Sequence, residues 1–305
     1  MSCNYPITAY RLSSGAIVFD TKYGYDIITY LKVPCGVCIG CRMERARQWA
    51  VRCMHESSLY DENCFITLTY NDDHLPEFDN LNYDDFQRFM KRLRKKYTGK
   101  KIRFFMSGEY GESFGRPHFH ACLFGHSFDD RLYLKTSPAG AKIYTSESLQ
   151  SLWLDRNHDS IGFSTVGDIN YNSAAYVARY ILKKKLGRGS EDFYETMDLE
   201  TGEVVTKNKE FNKMSLKPGI GTGFYKKFKS DMFPQDVCVV NGKATKPPKF
   251  YFKKLAEDDG TMYDDICYTR EMRAMEKAED NIPERLEVKE KCLEAKIKLL
   301  KRELI

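Results

Sequence analysis

The run RPHFHACLFG holds the residues whose types and spacing most directly suggest chemistry. Side chains alternate along a strand, so His118, His120 and Cys122 share one face while Phe119, Ala121 and Leu123 share the other. Two imidazoles side by side on a strand can chelate one metal ion. Glu109 lies nine residues before His118, near the end of a preceding β-rich stretch, and a hairpin would fold it beside the pair. Glu112 is a competing carboxylate, deeper in the connecting loop. Two histidines and one carboxylate leave coordination positions open for water and substrate, as a catalytic metal requires. Taken alone, an HxH pair also fits two hydrogen-bonded histidines on a half-exposed sheet.

A second constellation is NSAAYVARYILKK. On a helix, Tyr176 and Tyr180 are one turn apart and Lys183 follows on the same face, while Ala174, Val177, Ala178, Ile181 and Leu182 can pack against a sheet. Such a pair could be a simple packing stripe. Lys183 fits better beside a phosphate and a developing tyrosinate. A tyrosine hydroxyl, with a pKa near ~10, needs its proton removed or its target polarised before it attacks. A divalent ion on His118, His120 and Glu109 would polarise a phosphate in that way. The product would be a phosphotyrosine and a free DNA hydroxyl.

The third constellation is CGVCIGC, with Cys35, Cys38 and Cys41, and with Cys3 as the fourth thiol. No charged n-region followed by an apolar stretch opens the sequence, so reduced cysteines are expected and their spacing reads as structural zinc, Zn2+. Cys53 and His55 are alternative fourth ligands. His74, His126 and His158 lack companions.

These groups need elements to place them. Residues Ile7–Tyr10, Ala16–Asp20 and Asp26–Val33 read as strands. A helix over about Arg42–Tyr60 carries Arg42, Arg45, Arg47 and Arg52 on its exposed side. Cys64–Tyr70, Ile102–Glu109, His118–Phe124 and Ile161–Val166 read as strands. One helix has the apolar stripe Phe86, Phe89, Met90, Leu93 and Tyr97, with Asn82 as its cap and Gly99 as its stop. Another is expected from about Ser173 to Lys185. Residues 187–215 read as a polar loop or arm, and two helices divided by Pro283 end the sequence. The expected class is α+β: a central, mainly antiparallel sheet flanked by helices, with an N-terminal Cys-rich strand and helix region and accessory C-terminal helices. Boundaries follow at 1–60 for the Cys-rich region, 61–190 for the catalytic core and 191–305 for the accessory region.

The chain has 305 residues and a net charge of only +5, so the distribution of charge matters more than its sum. From Arg88 to Arg103 there are nine Lys or Arg and no acid, and Arg179–Arg188 adds five more. Lys91, Arg92, Arg94, Lys95, Lys96 and Lys184 are therefore candidate contacts to a phosphate backbone. No apolar run is long enough for a membrane span, and no GxxxxGK[ST] phosphate loop is present.

Three motifs in order, FITLTYND at 65–72, RPHFHACLF at 116–124 and YVARYILK at 176–183, resemble HUH-type rolling-circle replication initiators, specifically those of gokushovirus-like microviruses. PCGVCIGCRMERARQWAVRCMHE at 34–56 and KPGIG at 217–221 extend the resemblance over most of the chain. It implies an HUH-nuclease-like sheet, His118 and His120 as metal ligands, and Mg2+ or Mn2+ as the metal. It implies Tyr176 and Tyr180 as paired nucleophiles with Lys183 at the family's lysine position. It also implies a phage enzyme acting on single-stranded origin DNA in the cytoplasm of a bacterial host. Strand separation and elongation would fall to a host helicase and polymerase. A transposase or relaxase of the same nuclease class, and a non-catalytic zinc-containing DNA-binding protein, are the alternative functions.

Overall fold

The computed structural model describes residues 2–111, 114–183, 194–198 and 201–299, with the side chains of Tyr23, Tyr25 and 179–183 outside that description. The chain divides into two compact units, one formed by Met1–Arg45 with Asp264–Leu300 and the other by Ala46–Tyr263.

In the first unit, β1 (Ile7–Leu12) pairs antiparallel with both β2 (Ile17–Val18) and β3 (Ile27–Val33). The chain then turns through the cysteine loop into α1 (Ile39–Ser57), whose C-terminal part belongs to the second unit.

The second unit is built on a seven-stranded sheet. Its strands in chain order are β4 (Asn63–Thr69), β5 (Arg103–Tyr110), β6 (Pro117–Phe124), β7 (Arg131–Thr136), β8 (Lys142–Ser146) and β9 (Ser164–Gly167). Two helices of this region are α2 (Tyr83–Lys96) and α4 (Tyr171–Lys183), with the single turn α3 (Glu147–Gln150) between them. Further on come the small hairpin of β10 (Glu195–Met197) and β11 (Val204–Thr206), then β12 (Phe211–Met214). The large sheet runs β12-β5-β6-β4-β9-β8-β7, antiparallel at every pairing. After it come α5 (Thr222–Met232), the hairpin of β13 (Cys238–Val240) and β14 (Lys243–Thr245), α6 (Lys249–Asp258), α7 (Gly260–Glu276) and α8 (Pro283–Lys298). Pro283 takes the first turn of α8, where a missing N–H costs nothing.

The period-2 pattern splits the sheet into two cores. Ile66, Leu68, Met106, Phe119, Ala121 and Leu123 point to the side covered by α2, whose Phe86, Phe89, Met90 and Leu93 are buried. Phe65, Phe105, Cys122 and Phe124 point to the other side, against Ala46, Ala50 and Cys53 of α1 and Ala174, Val177 and Ala178 of α4. The small alanines let both helices approach the sheet closely. Asn82 caps α2 through the Asp84 amide.

The α+β sheet flanked by helices is as expected. The stretch 187–215 differs from its reading as a loop or arm, since β12 forms an edge of the sheet along β5, with Phe211 opposite Gly108 and Met214 opposite Phe105. Four residues are too few for a period to show in sequence. Arg52 also differs: its guanidinium is flanked by the rings of Trp49 and Phe250, 3.9 Å from each centroid.

A buried ion pair secures the loop before α5. Arg103 meets Glu56 at 2.7 Å and donates to the Pro218 carbonyl, while Glu56 accepts from the Gly221 amide. Two histidines of this unit are also buried. Burial pushes His55 down to about 4, a hydrogen bond to the Val239 carbonyl opposing it, and burial lowers His126 to about 4 as well. Both bind protons more readily unfolded than folded, so their neutral forms favour the fold above about pH 6.5, and that contribution is lost as pH falls towards 4. Urea unfolding should therefore weaken over that window by up to about 1.4 kcal/mol per pH unit for each histidine. His126→Phe should flatten the slope, and an unchanged slope would show that His126 carries none of it.

Candidate metal centre and nucleophile helix

The β5–β6 hairpin sets Glu109 directly opposite His118 and Ser107 directly opposite His120. On the other side of β6, β4 brings Thr67 opposite His120. All of these side chains share the face covered by α1 and α4. The register alone therefore converges a carboxylate and two imidazoles, and a slip of one residue would turn all three into the opposite core.

Glu109 Oε2 lies 3.7 Å from His118 Nε2, and Glu109 Oε1 lies 3.5 Å from His120 Nε2. The Ser107 hydroxyl donates to Glu109 Oε1 at 3.1 Å. Hydrogen bonds to the other ring nitrogens orient the imidazoles. His118 Nδ1 is 3.0 Å from the Arg116 carbonyl, which can only accept, so the proton sits on Nδ1 and Nε2 presents a lone pair. His120 Nδ1 is 2.9 Å from Thr67 Oγ1 and takes the same tautomer when it donates there. Such outer partners hold metal-ligating histidines in the correct orientation. Glu109 is fully buried and His120 nearly so, while His118 is 16% exposed and opens the site to solvent. The three donor atoms lie within 4.8 Å of one another. One carboxylate and two imidazoles suit a divalent ion with vacant positions.

The other sequence candidates are placed as follows. Tyr176, partly buried on α4, has its ring centroid 5.2 Å from that of His120, edge to face. Tyr180 and Lys183 lie on the same helix, but their side chains are outside the described residues, as are Glu112 and Lys184 entirely. The basic helix α2 packs on the opposite face of the sheet from Glu109, His118 and His120. There Arg92 donates to the carbonyls of Leu152 and Leu154, Arg94 to that of Ile102, and Lys96 to that of Ser148. Lys91 and Lys95 are exposed. Sequence reasoning did not find Ser107 and Thr67, whose parts depend on cross-strand register; alternation within FITLTY was the one signal available.

In the first unit Cys3, Cys35, Cys38 and Cys41 converge with their sulfurs within 4.8 Å of one another. Cys53 and His55 belong to the other unit, and His55 bonds Tyr251 and the Val239 carbonyl. The Asn4 and Cys41 amides donate to Cys38 Sγ, and the Cys35 amide donates to Cys3 Sγ. Burial opposes ionisation of Cys38, but these amides together hold its thiol down to about 7. Gly40 lets the N-terminal segment close on the loop, because a Cβ there would sit 1.8 Å from the Ser2 carbonyl oxygen. Four thiols in one cluster fit a tetrahedral, thiophilic ion.

An antiparallel sheet presenting two histidines and a glutamate beside a helix-borne tyrosine defines an α+β protein with a candidate metal centre. A family model described as replication-associated protein ORF2 matches residues 63–185, which include β4, the hairpin and α4. The replication-associated protein VP4 of Bdellovibrio phage phiMH2K is 32% identical over 275 residues, 87% of this chain and 81% of that relative. The replication-associated protein ORF2 of Spiroplasma virus 4 is 30% identical, covering 85% of this chain and 81% of the relative. For the replication-associated protein ORF4 of Chlamydia phage 1, identity is 28% over 74% of this chain and 55% of the relative. No solved structure matches the chain. The chain belongs to the family of microvirus replication-associated proteins.

Thr67→Val keeps the shape of the side chain and removes the partner of His120 Nδ1. Mn2+ affinity, followed by the loss of the free-ion electron paramagnetic resonance signal, should fall by about 10–100-fold. Unchanged affinity would mean that Thr67 does not orient a ligand.

Proposed function

We propose that this chain initiates rolling-circle replication of a small single-stranded DNA phage by nicking and rejoining origin DNA through a tyrosine. The observation that carries the reading is Tyr176 at 5.2 Å from His120, beside the buried Glu109, His118 and His120 cluster. The phage replication relatives and the spacing of Tyr176, Tyr180 and Lys183 on α4 support it.

A bound Mg2+ or Mn2+ would supply Lewis acidity toward a phosphate oxygen. His118, His120 and Glu109 would hold that ion. Tyr176 approaches from α4, its hydroxyl forming the new O–P bond as the P–O3′ bond breaks. The tyrosine loses its proton to solvent and the leaving 3′ oxygen gains one. The 5′ end stays on the tyrosine, and the bond energy is conserved for rejoining. Tyr180, one turn on, serves as the second nucleophile when the origin is regenerated, with Lys183 near the phosphate. We read residues 61–190 as the catalytic core, within a protein that works in the host cytoplasm beside a host helicase and polymerase. Lys184 and the exposed charges of α2, across the sheet, would attract flanking DNA.

Incubation with a single-stranded origin oligonucleotide and Mn2+ should give a denaturation-resistant protein–DNA adduct. Tyr176→Phe together with Tyr180→Phe should abolish it, and His120→Ala should reduce it by at least about 100-fold. An adduct that survives the double tyrosine change contradicts the reading. An absence of adduct in the wild type favours a non-catalytic DNA-binding protein.

We also assign zinc to Cys3, Cys35, Cys38 and Cys41. A thiol-blocking mercurial should release about one zinc per chain, as four sulfurs on one tetrahedral ion require. Cys38→Ser should lose that zinc and lower the melting temperature. A zinc-free, equally stable wild type would overturn the assignment.

A further inference from the structure

A pocket of about 590 Å³ lies between the C-terminal part of α1, the KPGIG loop and α6. It is within the size range of small-ligand sites. Its walls are mostly apolar, with Trp49, Leu216 and Phe250 among them, yet Arg52, Lys217 and Lys254 also line it and no acidic residue does. The charge of Arg52 is fixed in place: Nε and Nη2 donate to the Ile220 carbonyl, and the guanidinium lies between two aromatic rings. Burial lowers Arg52 to about 10, which keeps it protonated at neutral pH.

Two more features point to an anionic ligand. The pocket contains the start of α5, an 11-residue helix entered through Gly221 at φ +85°, where a Cβ would meet the Tyr251 ring. Helix N-termini favour anions. Thr222, the first residue of that helix, lines the pocket and is more than nine-tenths buried. Its hydroxyl has no hydrogen-bond partner among the described residues. A buried hydroxyl with nothing to bond is costly unless a ligand satisfies it.

We propose that this pocket binds one nucleotide of the single-stranded DNA substrate, its phosphate held by Lys217, Lys254 and Thr222 and its base against the apolar wall. The proposal rests on the nicking function above for the source of the nucleotide. Position supports it. Trp49 stacks on Phe105 at 4.7 Å, and Phe105 lies on the same sheet face as Glu109, four residues along β5. At about 3.3 Å per residue that is roughly 13 Å, within reach of a few nucleotides. The KPGIG motif thereby gains a part to play: Arg103 and Glu56 pin the loop that forms one wall.

Affinity for a labelled oligothymidylate, read by anisotropy on the full chain with EDTA present, tests binding apart from cleavage. Lys217→Ala with Lys254→Ala should weaken binding by about tenfold at low salt and reduce the salt slope by about 1.4, two phosphate contacts' worth. Thr222→Val should weaken it without lowering thermal stability, since it removes an unsatisfied hydroxyl. The oligonucleotide should quench tryptophan fluorescence in the wild type and not in Trp49→Phe, where Trp153, buried in the core beneath α2, remains. Unchanged affinity and slope in the lysine variant would overturn the proposal. So would equal quenching by free thymidine monophosphate, which would mark a free-nucleotide site. Adduct formation with Mn2+ separates the two readings. An adduct with no effect of the pocket variants removes the pocket alone, and pocket-dependent binding with no adduct removes the nicking function alone.

Discussion

A fully buried carboxylate cannot sit in a sheet without groups that answer its charge, and Glu109 imposes that condition here. The answer comes from the strand beside it. Antiparallel register places His118 straight across and His120 two residues further on, and Ser107 adds a hydroxyl from Glu109's own strand. Every other part of the site follows from keeping this arrangement. Thr67 and the Arg116 carbonyl orient the imidazoles so that both Nε2 atoms face the carboxylate. The small residues of α1 and α4 allow helices to cover the same face and bring Tyr176 to its edge. Preorganisation of this kind is what a phosphoryl-transfer site requires, since positioning and charge stabilisation supply most of the catalysis.

The parts legible in the sequence were those encoded by local periodicity. Alternation in RPHFHACLF placed both histidines on one face, and the hairpin reading brought Glu109 to them. The apolar stripe and Asn82 marked α2, and Pro283 marked the start of α8. The CxxCxxC spacing marked the cysteine loop, but the choice of Cys3 over Cys53 or His55 depended on how the N-terminal segment folds back. What escaped was set by pairing between distant segments. β12 is four residues long and is a strand only because β5 offers it an open edge. The β7–β8 hairpin gave no sequence signal, because Leu132, Tyr133 and Leu134 are all exposed and blur the alternation.

Charge proved the least transferable sequence signal. The run from Arg88 to Arg103 is legible as a cluster, yet several of its members bond backbone carbonyls behind the sheet, and Arg103 closes a buried ion pair with Glu56. Arg52, read as an exposed charge, is clamped between two rings at the wall of a pocket. The type of a residue shows what it can do. Only its neighbours show whether its charge holds the fold together or faces a ligand.

The most direct measurement is the identity of the residue that becomes covalently linked to DNA. After reaction with Mn2+ and a single-stranded origin oligonucleotide, nuclease trimming and proteolysis, peptide sequencing by mass spectrometry should find the nucleotide on Tyr176 or Tyr180 of α4. A nucleotide on any residue outside that helix would contradict the account, because the geometry beside His120 would then not be the site of attack.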